Sequence, residues 1–96
     1  MIVSFGDKPT EDIFHGHNTK AARRIAPALW TRIQTKLDLL NASTMLTDLS
    51  MPPSNRLEKL RGDWAGFHSL RVNDQYRIVF RFTNGTAHEV RCVDYH

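Results

Sequence analysis

The stretch YRIVFRFTNGTAHEVRCVDY, residues 76–95, constrains the fold more than any other part of the chain. Tyr76, Ile78, Phe80 and Phe82 fall on one side of an extended backbone, and Arg77, Val79 and Arg81 on the other. This is the period of two that a half-buried strand shows. Asn84-Gly85 follows, and Asn-Gly between apolar strands is the strongest short-range hairpin signal. The pattern predicts an antiparallel hairpin with one face on a core and one face bearing two arginines. In the returning strand, Val90, Cys92, Asp94 and His96 share a face if it stays regular, and Tyr95 points the other way. A bend is needed for Asp94, Tyr95 and His96 to converge.

Two more strand candidates precede the hairpin, NRLEKL and FHSLRV, the second separated from it by Asn73-Asp74. The first half of the chain reads differently. MIVSF is short, apolar and β-prone, and predicts a first strand. KPTEDIFHGHN predicts a short helix with Thr10 as N-cap, Glu11 and Asp12 in its first turn and an end near Gly16. Pro27 suits the first turn of a second helix, because its missing N–H has no partner there anyway. Leu29, Ile33, Leu37 and Leu40 then form one apolar stripe, with Arg32, Lys36 and Asp38 on the water side. STMLTDLS adds a helical turn, and Met51-Pro52-Pro53 ends it. The expected architecture is α+β: an N-terminal strand and two to three helices packed on a small, curved, mainly antiparallel sheet.

At 96 residues, one domain spanning 1–96 is the natural count. The 41% hydrophobic and 24% charged content argues against disorder. No apolar run reaches the roughly 20 residues of a membrane span, and the N-terminus lacks the pattern of a signal peptide. Cys92 has no cysteine to pair with, which makes the cytoplasm the expected compartment. The net charge of +3 is a mild bias. Its distribution says more: six of the seven cations from Arg56 onward are arginines, whose planar fork fits phosphate.

Cleaving RNA without a metal needs four things. A base removes a ribose 2′-hydroxyl proton, the oxygen attacks the neighbouring phosphate, a cation holds the added charge, and an acid protonates the leaving oxygen. Asp94, Tyr95 and His96 together with Arg77 contain that set of residue types. The types alone are a weak signal, since polar residues near a chain end are usually just solvated. Other constellations offer less. His15 and His17 in HGH have no Cys/His cluster to complete a metal site, and two exposed loop histidines are the simpler account. Cys92 on an alternating strand reads as a small buried hydrophobe. His68 and His88 could reach one sheet face, each more simply as a structural or exposed side chain. Trp64 could stack on a base or pack under its loop. No cofactor motif is present in the sequence.

From Pro52 to His96 the chain resembles the HigB toxins of the RelE/ParE toxin–antitoxin superfamily, also described as plasmid-maintenance killer proteins. NRLEKLRGD, HSLRVNDQYRIVFRF and the terminal VDYH carry the resemblance; MIVSF and the Pro27 helix match more loosely. The resemblance implies a ribosome-dependent mRNA endonuclease that cuts in the ribosomal A site. It implies catalytic roles for Asp94, Tyr95 and His96 and a phosphate-binding role for Arg77. Arg61, in LRGD, falls where the motif has a basic residue. Glu58 stands where some members have a histidine, which leaves the general base open among Asp94, Glu58 and His96. Arg56, Arg61, Glu58 and Arg81 are the substrate-binding candidates. The resemblance further implies a helix-turn-helix, HigA-like antitoxin, contact with ribosome and mRNA, operator DNA bound through the antitoxin complex, and no cofactor or metal. A same-fold toxin poisoning gyrase and a non-catalytic binder of RNA or an acidic partner are the alternatives. The terminal acid–base set counts against the first, and persistence of activity without His96 would mark the second.

Overall fold

The computed structural model describes residues 1–95. Its centre is the predicted hairpin: β3 (Tyr76–Thr83) and β4 (Thr86–Asp94) join through Asn84 at φ 51° and Gly85 at φ 78°. Both turn residues are left-handed, as a two-residue hairpin of matching twist requires. A Cβ on Gly85 would stand 3.1 Å from the Thr44 carbonyl oxygen, so the turn also packs close to the loop behind the second helix. With β1 (Glu58–Lys59) and β2 (His68–Arg71) the hairpin forms a four-stranded antiparallel sheet in the order β1-β2-β3-β4.

The register breaks between Val79 and Arg81. Val79 pairs with Arg91 and Arg81 with His88, so Glu89 and Val90 together oppose Phe80. Glu89 sits at φ 53°, the left-handed first residue of a β-bulge. The bulge keeps Ala87 and Val90 both in the core although three positions separate them. It also explains why residues 1–5 are not the expected strand. They run parallel to β4 but meet it only in isolated bridges, Ile2 to Ala87 and Phe5 to Val90. Between them the ladder is interrupted at the bulge, where the Glu89 N–H donates to Ser4 Oγ at 2.8 Å.

Helix α1 (Lys8–Phe14) is capped by Asp7, whose carboxylate accepts the Thr10 N–H at 3.0 Å. Thr10, expected as the cap, lies instead inside the helix. It is buried, and its Oγ1 accepts the Cys92 N–H at 2.8 Å, tying α1 to β4. Asp12 is buried too, accepting from Lys8 Nζ at 2.7 Å and Thr19 Oγ1 at 2.6 Å. Helix α2 (Trp30–Ala42) follows a 3-10 turn, Pro27–Leu29, with Pro27 at its first position. Ile33, Leu37 and Leu40 are buried, as the stripe predicts, and Leu29 packs beside them.

The strand expected in NRLEKL shrinks to two residues. Asn55 is fully buried in a 3-10 turn (Pro53–Asn55), where its Nδ2 donates to the carbonyls of Leu49 and Met51. Arg56 at φ 45° then redirects the chain. The helices cover the face of the sheet that presents Ile78, Phe80, Val90 and Cys92. The opposite face holds a second, smaller cluster of Leu60, Phe67 and Val79 with Trp64, Val93 and Tyr95 against it. Among the described residues no helix is long and apolar enough to cross a membrane.

Candidate active site

The sheet face away from the helices is where the chemistry-bearing side chains collect. Antiparallel pairing places Ser69 opposite Val79 and Arg91 opposite the same valine, with Arg71, Arg77 and Val93 forming the next row. Glu58 pairs with Ser69 and so joins this face from β1. Paired residues point to the same side, which makes Glu58, Ser69, Arg77, Arg91 and Tyr95 neighbours although the sequence spreads them over 37 intervals between residues 58 and 95.

Arg77 stands at the centre. Its Nη1 donates to Ser69 Oγ at 3.1 Å, its Nη2 lies 3.5 Å from Glu58 Oε1, and its Cζ lies 5.3 Å from the centre of the Tyr95 ring. The Arg77 side chain is 16% exposed and that of Glu58 is 50% exposed. The guanidinium is thus fixed from three sides while a carboxylate remains open to solvent beside it. A planar donor fork fixed in this way is suited to hold a phosphodiester, with an aromatic ring at hand for a base or ribose.

A second group flanks the first. Arg81 Nε donates to Glu89 Oε2 at 2.8 Å, and its Cζ lies 4.3 Å over the Phe67 ring. Gly66, at φ 90°, permits this approach, since a Cβ there would come within 2.5 Å of Arg81 Nη1. Arg91 lies with its Cζ 5.7 Å from the Trp64 ring, and its Nε is buried with no hydrogen-bond partner among the described residues. The alternation that puts Val90 and Cys92 in the core already sends Arg91 and Val93 outward. Sequence reasoning singled out neither, nor Ser69 and Phe67, because their neighbours are set by register and by the 60–67 loop.

The sequence candidates are not all gathered here. Asp94 pairs with Tyr76, the neighbour of Arg77 that faces the helices, and accepts from Gln75 Nε2 at 3.0 Å. Its place in the ladder is therefore on the other side of the sheet from Arg77 and Tyr95. His96 lies outside the described residues. Arg56 and Arg61 are exposed on the segments that flank β1, and among the described residues no hydrogen bond or ion pair joins them to Arg77.

The remaining titratable groups are spread apart. His68 and His88 are on opposite faces, not one: His68 pairs with Phe80 and stacks on it at 6.2 Å, whereas His88 pairs with Arg81. Burial, then the Lys59 charge, lowers the His68 pKa from its ordinary value. Burial and then Asp7 push the Cys92 thiol up to about 12, so it is no nucleophile at neutral pH. The His15 and His17 rings lie 5.8 Å apart. Among the described residues no group of three or more His, Cys, Asp or Glu could hold a metal ion.

A helical pair on one face of a four-stranded antiparallel sheet is a fold shared with solved bacterial proteins. A YafQ mutant from E. coli superposes with a TM-score of 0.66 at 17% identity, over 98% of this chain and 91% of that one. A chain of the YoeB-YefM complex from Staphylococcus aureus gives 0.61 at 14% identity, over 100% of this chain and 98% of that one. Sequence comparison is more specific. Residues 3–96 match the HigB-like toxin family, described as the RelE-like toxin of type II toxin-antitoxin system HigB. Toxin HigB-1 of Vibrio cholerae is 37% identical over 91% of this chain and 90% of its own length. Endoribonuclease HigB of Proteus vulgaris is 34% identical over the whole of both chains. The chain belongs to the HigB-like toxin family and is a toxin of a type II system, whose partner is an antitoxin.

Proposed function

We propose that the 1–96 chain acts as one endoribonuclease that cuts mRNA on the ribosome and so stops translation. The observation that carries the reading is the Arg77 guanidinium, anchored by Ser69, Glu58 and the Tyr95 ring on an arginine-bearing face. Arg77 holds the scissile phosphate and the charge that develops on it. Glu58 is the carboxylate beside Arg77 and takes the 2′-hydroxyl proton. The 2′-oxygen forms its bond to phosphorus, the bond from phosphorus to the 5′-oxygen breaks, and His96 returns a proton to that oxygen. A 2′,3′-cyclic phosphate and a 5′-hydroxyl end result, and the step calls for no metal. Tyr95 stacks beside the reacting nucleotide. Asp94 acts at the β3–β4 end of the site, and Arg56, Arg61 and Arg81 bind more distant RNA phosphates, a salt-dependent attraction. A helix-turn-helix antitoxin in the cytoplasm neutralises the toxin, and the complex reaches operator DNA through the antitoxin.

The test is to induce wild type, Arg77→Ala, Glu58→Gln and a His96 deletion in cells and map new 5′ ends of messages. Cuts in register with codons, present with wild type and lost with Arg77→Ala and the His96 deletion, are expected. Normal cutting by either of these two variants would refute the mechanism. Damaged DNA with intact messages would point to another target.

A further inference from the structure

A second cationic site lies where the sequence suggests only the solvated side of a helix. Between α2, the Pro53–Asn55 turn and the end of β2 is a cleft of about 470 Å³. Arg32, Lys36 and Arg71 line it together with the hydroxyl-bearing Thr31, Thr35 and Ser54, and the lining includes no carboxylate. The Lys36 ammonium is not swinging free in solvent: it donates to Asn55 Oδ1, the other end of the amide that anchors the Pro53–Asn55 turn. Burial, then the charges of Arg32 and Arg71, lower the Lys36 pKa. Three like charges converging on a partly enclosed space destabilise the empty fold, and an anion placed between them reverses that cost. Arg71 does have a counter-ion in Asp74, but that carboxylate is 99% exposed, and such surface pairs exchange readily for another anion.

The position of the cleft says which anion. Arg71 is directly opposite Arg77 in the β2–β3 register, so their Cβ atoms are about 5 Å apart. β1 pairs only with His68 and Ser69, so no β1 residue pairs with Arg71, which lines the cleft instead. Arg71 therefore joins the two cationic groups: a chain of phosphates held at Arg77 reaches Arg32 and Lys36 by way of Arg71, where it takes the place of the exposed Asp74 carboxylate. Guanidinium forks mixed with hydroxyls suit phosphodiester oxygens.

We propose that this cleft is a phosphate subsite for the RNA strand engaged at Arg77, taking two successive backbone phosphodiesters a few nucleotides from the reacting bond, one at Arg32 and one at Lys36. The proposal rests on the RNA reading of the Arg77 face. Its test uses the full chain and all-2′-O-methyl RNA, which 2′-oxygen attack cannot cut. Binding of a trinucleotide and of an oligonucleotide of about a dozen residues is measured by anisotropy across a salt series. For Arg32→Gln/Lys36→Gln, loss of two phosphate contacts makes the slope of log affinity against log salt shallower by about 1.4 on the long RNA. The trinucleotide binds that variant as it binds wild type, whereas Arg77→Ala weakens both. Arg32→Gln alone, at an exposed position, gives a change of about 0.7 and keeps the test sound should the double variant melt early. An unchanged slope in Arg32→Gln/Lys36→Gln while Arg77→Ala still weakens binding overturns the cleft proposal and spares the RNA reading. Wild type that binds neither RNA overturns the cleft proposal, and the RNA reading is then decided by the mapped message ends of wild type and Arg77→Ala. A polyglutamate peptide that loses affinity for the double variant, with long RNA unaffected, assigns the cleft to an acidic protein segment and overturns the proposal as well.

Discussion

Arg77 meets Tyr95 through the face of its ring, so the pair needs an aromatic ring at 95 before it needs a hydroxyl. Tyr95→Phe is expected to hold uncleavable RNA within about twofold of wild type, whereas Tyr95→Ala gives up a cation–π contact of about 1 kcal/mol and binds roughly fivefold more weakly. Any fall in cleavage rate by Tyr95→Phe at unchanged affinity then measures what the hydroxyl does in the chemistry. Glu58 and Asp94 separate in the same way. Glu58 is 3.5 Å from Arg77, and Asp94 is paired with Tyr76 on the other side of the ladder. Single-turnover cleavage should drop about 10²- to 10⁴-fold in Glu58→Gln, the range for loss of a general base, with RNA affinity kept or improved because a negative charge is gone. Asp94→Asn should cost clearly less. The reverse order would move the base to the chain end.

Gly85 is where the elements of the sheet are joined, and it should be intolerant of a side chain. At φ 78°, with the Thr44 carbonyl 3.1 Å from the place of a Cβ, Gly85→Ala is expected to lower stability by about 1–2 kcal/mol, read from urea unfolding. A value near zero would mean that the hairpin turn and the Thr44 loop move apart at little cost. This hairpin was legible in the sequence because its cause is local: alternation and an Asn-Gly pair. The α2 stripe was legible for the same reason. What was not legible has non-local causes. A glutamate in the left-handed region at 89 follows from its N–H bond to Ser4 and its pairing with Arg81, and no local pattern announces it. That bulge breaks the expected first strand, just as burial of Asn55 curtails β1. In the candidate site, alternation predicted the arginine face of β3 and the split between Asp94 and Tyr95. It could not give the register that sets Arg77 beside Tyr95 and Glu58, because residues 58, 77 and 95 meet only once three strand pairings are fixed.

The molecule as a whole carries its ionisable groups so that both acid and alkali weaken it. Hydrogen bonds from Lys8 and Thr19 hold the Asp12 carboxyl below its ordinary range, and backbone N–H bonds from Met45 and Thr44 do the same for Asp48. Their stabilisation is present above the unfolded carboxyl pKa, about 4, and is lost as pH falls through the lower folded values. His68 also has a lowered folded pKa, from burial first and Lys59 second. Between that value and about 6.5 the unfolded chain binds the extra proton, so its contribution is full above 6.5 and drains away on acidification. Cys92 works in the opposite sense. With its folded pKa raised to about 12, stability is full below the unfolded thiol pKa of about 8.5 and falls as pH rises beyond it. Urea midpoints should therefore show a plateau from about 6.5 to about 8.5, with separate losses on either side. His68→Phe, which keeps a ring against Phe80, should extend the plateau downward to the carboxylate step near pH 4, and Cys92→Val should flatten the alkaline limb. The slopes are the readout, so a uniform change in stability from repacking does not disturb the comparison. An acid limb between about pH 6.5 and 5 that survives His68→Phe unchanged would mean that His68 does not set the molecule's sensitivity to mild acid.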